Sequence, residues 1–191
     1  MIHGTTQIYG VIGDPISHSL SPSLQNPAFT ALGIDAVYVT FQVSPSSLGD
    51  ALRGLLALNV QGINVTVPHK SNVFQYLDEV TDTARKIGAV NTLRNDSGQW
   101  IGENTDATGF IRSLEPLGLS LSDSSVGMLG AGGAARGVAV GLLEAGVSQL
   151  FISNRSYERA TLLAELLKAS FGQQSVSAVS LEELEKKELN L

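Results

Sequence analysis

The sequence predicts an α/β protein made of two successive α/β segments, and three observations predict it. Strand-like and helix-like stretches alternate along nearly the whole chain, the pattern of a mostly parallel sheet covered by helices. A glycine-rich turn, MLGAGGAARG, joins an apolar strand to a helix in the second half. Between the two alternations lies a small polar tract, SLSDSS at 120–125, where a chain passes from one domain to the next. The 191 residues, 43% of them hydrophobic, suffice for two small domains with cores of their own.

Residues 7–13 (QIYGVIG) read as a buried strand. The stretch 22–33 carries Leu24, Ala28, Phe29 and Leu32 at helical spacing, and Pro27 inside it is expected to bend or shorten the helix. Residues 37–43 (VYVTFQV) alternate as a strand does. Ser46 or Ser47 is placed to cap a helix with Leu48, Leu52, Leu55 and Leu56 along one side. GINVTVP (62–68) reads as a strand stopped by Pro68, and short helices are expected over 71–77 and 80–87. VNTLRND and QWIGENT form a hairpin about Asp96, Ser97 and Gly98. A linking helix follows over 105–118. The second alternation runs strand 125–130, helix 132–146, strand 149–153, helix 156–172, strand 174–179 and a helix from Ser180, and KKELNL ends the chain where another strand could start. The expected organisation is a first domain over 1–104, a linking helix and boundary over 105–122, and a Rossmann-type domain over 123–191 that holds its first three strands only.

Composition narrows the function. A formal net charge of −6 disfavours a nucleic-acid partner, which demands a basic face. The absence of cysteine removes disulfides, thiolate metal sites and a cysteine nucleophile together. The N-terminus lacks the basic-then-apolar pattern of a signal peptide, and no apolar run is long enough to cross a bilayer. These features predict a soluble, cytoplasmic protein without membrane, nucleic-acid or metal partners.

Gly130, Gly132 and Ala135 occupy the small-residue positions of a dinucleotide-binding turn, where backbone amides approach a pyrophosphate and the helix N-terminus faces its charge. NAD is held by an acid after the second strand of such a unit, and this chain offers LFISNRS instead. Asn154 can hydrogen-bond a ribose, Arg155 can pair with a 2′-phosphate or stack on adenine, and Ser156 can donate a hydroxyl. Arg159 lies within reach across the next helical turn. A carboxylate would repel the extra phosphate of NADP and two guanidinium groups attract it, so NADP is the expected cofactor.

Three clusters in the first domain invite chemistry. In HSLSP, Ser19 and Ser21 alternate, so an extended backbone turns both hydroxyls one way and makes a cradle for a small carboxylate; Ser21 also suits a helix cap before Pro22. In NVTVPHK, Lys70 follows a strand end, a position from which loops commonly carry function. AVNT and ENTDATGF place Asn91 and Asp106 at the ends of buried segments. Reducing a ketone with hydride leaves an alkoxide that needs a proton donor, a task that suits a lysine oriented by an aspartate. Among the three histidines, His69 is read as a bystander at the rim of the pocket.

The order VIGDPISHSLSP, NVTVPHK, GAVNT, NTDATGF, GAGGAARG and NRS closely resembles the shikimate dehydrogenase family, from about residue 8 to the end. The resemblance implies NADPH-dependent, reversible reduction of 3-dehydroshikimate to shikimate, on the way to chorismate and the aromatic amino acids. It implies that Ser19 and Ser21 hold the substrate carboxylate, that Thr66, Asn91 and Asp106 hold ring hydroxyls, and that Lys70 and Asp106 are the catalytic pair, with Asn64 supporting the pocket. Gly130, Ala131, Gly132, Gly133 and Ala134 would meet the pyrophosphate, and Asn154, Arg155, Ser156 and Arg159 the adenosine phosphate. The assembly expected is a monomer or a homodimer.

Gln25-Asn26-Pro27 stands where the family commonly has a His-Asn pair, which bears on the shape of the first helix, and Ala107 stands where glycine is frequent. Family members also continue past residue 191 with the rest of the nucleotide-binding sheet. The chain alone is therefore expected to be poorly stable and to turn over little. The alternatives are a quinate/shikimate dehydrogenase using NAD(P) and a truncated, non-catalytic binding module. Glutamyl-tRNA reductases resemble the GAGG and NRS region but need a cysteine that this chain lacks.

Overall fold

The computed structural model describes residues 2–172 and 176–189, which form two compact units. The first runs through Arg85 and resumes at Ala89–Asn104; the second takes Lys86–Gly88 and the chain from Thr105 on.

In the first unit, β1 (Gln7–Gly13), β2 (Ala36–Gln42) and β3 (Gly62–Val65) lie parallel, with β1 between the other two. The hairpin of β5 (Thr92–Asp96) and β6 (Gln99–Glu103) adds antiparallel to β3, and the two-residue β4 (Glu79–Val80) closes the order β2-β1-β3-β5-β6-β4. The hairpin adds the two antiparallel pairings of a sheet whose other three are parallel. Ser97 at φ +54° and Gly98 at φ +88° make its tight turn, and Asn95 Oδ1 accepts the Gly98 amide at 3.0 Å.

Leu48, Leu52 and Leu55 of α2 (Leu48–Ala57) pack against Ile12, Ile63, Val65, Leu93 and Trp100 on one face of the sheet. The Trp100 indole donates to the Leu52 carbonyl at 3.1 Å. No serine side chain caps α2: Ser44 donates to Ser47 instead, and a short 3-10 turn, Pro45–Ser47, leads into the helix.

On the other face lies α1 (Ser21–Ala31), which runs through Pro27 and ends two residues before the expected limit. Phe29 packs on Tyr9 of β1, with ring centroids 5.4 Å apart, and Asn26 adds a polar hold. Asn26 Nδ2 donates to the Tyr38 carbonyl at 2.9 Å and Oδ1 accepts the Tyr38 amide at 2.8 Å, so the side chain pairs with β2 as a neighbouring strand would. Strand β3 stops at Val65, before Pro68, and the expected helix over 71–77 is a 3-10 turn, Asn72–Tyr76, followed by α3 (Asp82–Ile87).

The second unit stacks three parallel strands in the order β7 (Ser125–Leu129), β8 (Gln149–Ser153), β9 (Val176–Ala178). Among the described residues β7 is an edge strand. The start of the strand expected over 174–179 lies outside the described residues, as do the final two residues of KKELNL. Helices α4 (Asp106–Leu114) and α5 (Gly133–Glu144) touch closely: a Cβ on Gly141 would stand 3.0 Å from the Ala107 carbonyl oxygen. α6 (Tyr157–Phe171) buries Ala160, Leu163, Ala164 and Leu167, and α7 (Leu181–Glu185) opens on a capping box between Ser180 and Glu183. No helix of the described residues is long and apolar enough to cross a membrane.

Candidate functional site

The serine pair sits just beyond β1. The Ser19 amide donates to the Ile16 carbonyl at 3.0 Å, which turns the chain so that the Ser19 hydroxyl meets Ser21 Oγ at 3.2 Å. Ser21 is the first residue of α1 but does not cap it; Leu20 takes the cap position without a side-chain bond. Tyr38 is 5% exposed, and burial pushes its phenol up to about 12 against the opposing influence of the nearby Ser21 hydroxyl. The phenol donates to Asn64 Oδ1 at 2.6 Å.

From Asn64 the contacts pass to β5. Asn64 Nδ2 donates to Thr92 Oγ1 at 3.3 Å and to the Asn91 carbonyl at 3.4 Å, and the Thr92 hydroxyl donates to Asn91 Oδ1 at 2.9 Å. Asn91 is 8% exposed. Tyr38, Asn64 and Thr92 also line a groove of about 430 Å³ with Tyr9, Arg94 and Glu103.

Two main-chain bonds set the residues after β3 beside this network. The Val65 amide donates to the Asn91 carbonyl at 2.8 Å, and the Val90 amide to the Lys70 carbonyl at 2.8 Å. The backbone of Lys70 is thereby fastened one residue from Asn91. Thr66 is half-buried against the end of β1, its amide bound to the Ile12 carbonyl at 3.0 Å. A Cβ on Gly13 would stand 2.6 Å from Thr66 Cγ2, so only glycine lets the two segments come this close.

His69 is not at a rim. It is fully buried, with Nε2 2.7 Å from the Val43 carbonyl, while its Nδ1 has no hydrogen-bond partner among the described residues. Its ring anchors the stretch between Thr66 and Lys70 to the end of β2. The apolar sequence context of His69 gave no sign of this, because Val43 is distant in the chain.

In the second unit, Asp106 is half-buried and opens α4. Gly130 follows β7 at φ +116°, a conformation that favours glycine, and its amide donates to the Ser153 carbonyl at 2.7 Å. Ala131 leads to Gly132, the N-cap of α5, and Gly133 and Ala134 begin the helix. A Cβ on Gly132 would meet no atom of the described residues within 4 Å, so internal packing among them does not demand its small size. That room in front of uncapped helix amides fits a pyrophosphate.

Asn154, Arg155, Ser156 and Arg159 line one cleft of about 430 Å³ after β8. Asn154 Nδ2 closes the turn by donating to the Ser156 carbonyl at 2.9 Å, which leaves the exposed Arg155 and Arg159 as the charged groups of the cleft. An adjoining cleft of about 480 Å³ is lined by Leu129, Ser153, Asn154, Arg155, Tyr157, Ser180 and Leu181. Among the described residues, no carboxylate lines either cleft. Polar groups, a cationic rim and an apolar wall suit a phosphorylated nucleoside.

Residues 11–93 match the shikimate dehydrogenase substrate binding domain, and residues 113–189 match the shikimate / quinate 5-dehydrogenase family. The chain belongs to the shikimate dehydrogenase family. It is 51% identical to a shikimate dehydrogenase (NADP(+)) of Methanothermobacter thermautotrophicus over 90% of its own length and 60% of that relative. The solved shikimate dehydrogenase of Aquifex aeolicus superposes with a TM-score of 0.88 at 44% identity, covering 96% of this chain and 66% of that one. The Listeria monocytogenes shikimate 5-dehydrogenase, solved in complex with shikimate and NAD, superposes with a TM-score of 0.89 at 37% identity, covering 95% and 64%. The chain thus spans about 60% of the length of that curated relative.

Proposed function

We propose that this chain carries the substrate domain, over 1–104, and the cofactor-phosphate site, within 123–191, of an NADP-dependent shikimate dehydrogenase, with 105–122 linking them. The reaction is the reversible reduction of 3-dehydroshikimate to shikimate, in a cytoplasmic setting to which a chain without cysteine is suited. NADPH supplies the hydride when bound. Ser19 and Ser21 donate hydroxyl protons to the substrate carboxylate, and Thr66 and Asn91 hydrogen-bond the ring hydroxyls. Lys70 gives an Nζ proton to the oxygen of the reduced carbonyl and regains one from water. Asp106 is the carboxylate partner that the family motif assigns to it. Gly130, Ala131, Gly132, Gly133 and Ala134 receive the pyrophosphate, while Asn154, Arg155, Ser156 and Arg159 receive the adenosine 2′-phosphate.

One observation carries this reading: a half-buried lysine on a stretch fastened by its own carbonyl one residue from Asn91, whose carboxamide is bonded to the Thr92 hydroxyl. That environment recognises a polyhydroxylated acid and keeps one proton donor for chemistry.

Calorimetry on the chain tests it. NADP should bind more tightly than NAD, and shikimate more tightly than quinate; tighter quinate binding would transfer the assignment to a quinate/shikimate enzyme. Lys70→Ala should lower shikimate oxidation by roughly 100-fold or more while NADP affinity stays within about twofold. Loss of NADP affinity in that variant would contradict the division of labour.

A further inference from the structure

Four side chains of the first unit form one series of hydrogen bonds with a single direction. The Tyr38 phenol donates to Asn64 Oδ1, Asn64 Nδ2 to Thr92 Oγ1, and the Thr92 hydroxyl to Asn91 Oδ1. A hydroxyl has one proton, so each donation fixes the polarity of the next member. An asparagine amide can sit in either of two flipped orientations. The phenol proton on Asn64 Oδ1 selects one for Asn64 and turns Nδ2 toward Thr92. Thr92, supplied with that donor, spends its own proton on Asn91 Oδ1 and selects the orientation of Asn91 in turn.

Tyr38 is the member best suited to govern the series. Asn26 holds its peptide at both edges, at 2.8 and 2.9 Å, so the ring cannot drift along β2. Burial keeps the phenol protonated, and hence a donor, throughout the neutral range.

We infer that Tyr38 is a positioning residue of the substrate site, fixing the orientation of the Asn91 carboxamide through Asn64 and Thr92. The inference rests on the reading above, in which Asn91 takes a ring hydroxyl. The relay holds the Asn91 carboxamide in one orientation, which discriminates an acid with a hydroxyl at a set position from one whose hydroxyl is displaced.

A double-mutant cycle between Tyr38→Phe and Thr92→Val tests this. Unfolding free energy without ligand and shikimate affinity are read for every variant. Tyr38→Phe should weaken shikimate about five- to tenfold and leave NADP affinity unchanged. The Tyr38 and Thr92 effects should be non-additive, by about threefold in affinity. Additivity of the two, or wild-type shikimate affinity in Tyr38→Phe, overturns the inference. Should Tyr38→Phe not fold, the isosteric Thr92→Val must by itself weaken shikimate by about threefold or more, and wild-type affinity overturns the inference. A wild-type chain that binds no shikimate but keeps the Tyr38-dependent coupling in unfolding refutes the shikimate reading and leaves the relay standing.

Discussion

Asn26 grips Tyr38 by both edges of its peptide, Nδ2 on the carbonyl at 2.9 Å and Oδ1 on the amide at 2.8 Å. One side chain thus satisfies two main-chain groups of β2 and ties α1, which buries no residue of its own fully, to the sheet.

Asn26→Ala should therefore destabilise the first unit by about 2 kcal/mol, because two main-chain groups lose partners at once. Asn26→Asp keeps the acceptor and loses the donor, and should fall between wild type and alanine. Urea unfolding of the three proteins checks the order; equal midpoints for alanine and wild type would show that α1 is held otherwise.

The Tyr38 phenol gives a pH signature. Its folded value, about 12, lies above the ordinary 10, so the unfolded chain releases the proton first. The contribution is fully present below pH 10 and is lost as pH rises from 10 toward 12. Stability should drop across that window by about 2 kcal/mol more in wild type than in Tyr38→Phe. Denaturant unfolding at pH 9 and pH 11.5 measures the difference, and parallel declines in the two proteins would refute it.

Much of the fold was legible because its signals are local. The hairpin follows from Asp96-Ser97-Gly98, whose second and third residues take the positive φ such a turn demands. The glycine turn after β7 could be placed from spacing alone, and Gly130 does take the left-handed conformation. Ser19, Asn91 and Lys70 were identifiable as polar groups at strand ends. Tyr38 and Asn26 were not, because their importance lies in partners across the sheet. In VYVTFQV the tyrosine reads as one more apolar position, and Asn26 drew notice only as a departure beside Pro27. His69 was misplaced for the same reason: the Val43 carbonyl that buries it comes from another strand end. The signal available was the pair of Asn26 and Tyr38, two polar-tipped residues on elements that topology must pack together.

Among the described residues, the cleft after β8 carries Arg155 and Arg159 and no carboxylate, which predicts discrimination between cofactors. Arg155→Ala should weaken NADP by roughly 10- to 100-fold, the worth of a charge-assisted bond, and Arg159→Ala by less. NAD affinity should change little in either. Both arginines are exposed, so the preference for NADP should shrink as salt rises. Calorimetry with both cofactors at low and high ionic strength checks this; an equal loss for NAD and NADP would place the arginines away from the 2′-phosphate.

Gly13 offers a test of how closely the site depends on the end of β1. An added methyl would stand 2.6 Å from Thr66 Cγ2 and 2.9 Å from Ile16 Cδ1, inside contact distance on both sides. Ile16 is buried and cannot retreat, so Thr66 must yield, and with it the stretch whose amide bonds Ile12. Gly13→Ala should cost about 1–3 kcal/mol of stability by overpacking. Under conditions where the variant is folded, shikimate should bind more weakly while NADP binds as before. Adding Thr66→Ala to Gly13→Ala removes the methyl in the way and should restore part of the stability without restoring shikimate affinity, since the Thr66 hydroxyl is lost with it. Recovery of both would mean that Thr66 only fills space, and recovery of neither that the obstruction lies at Ile16.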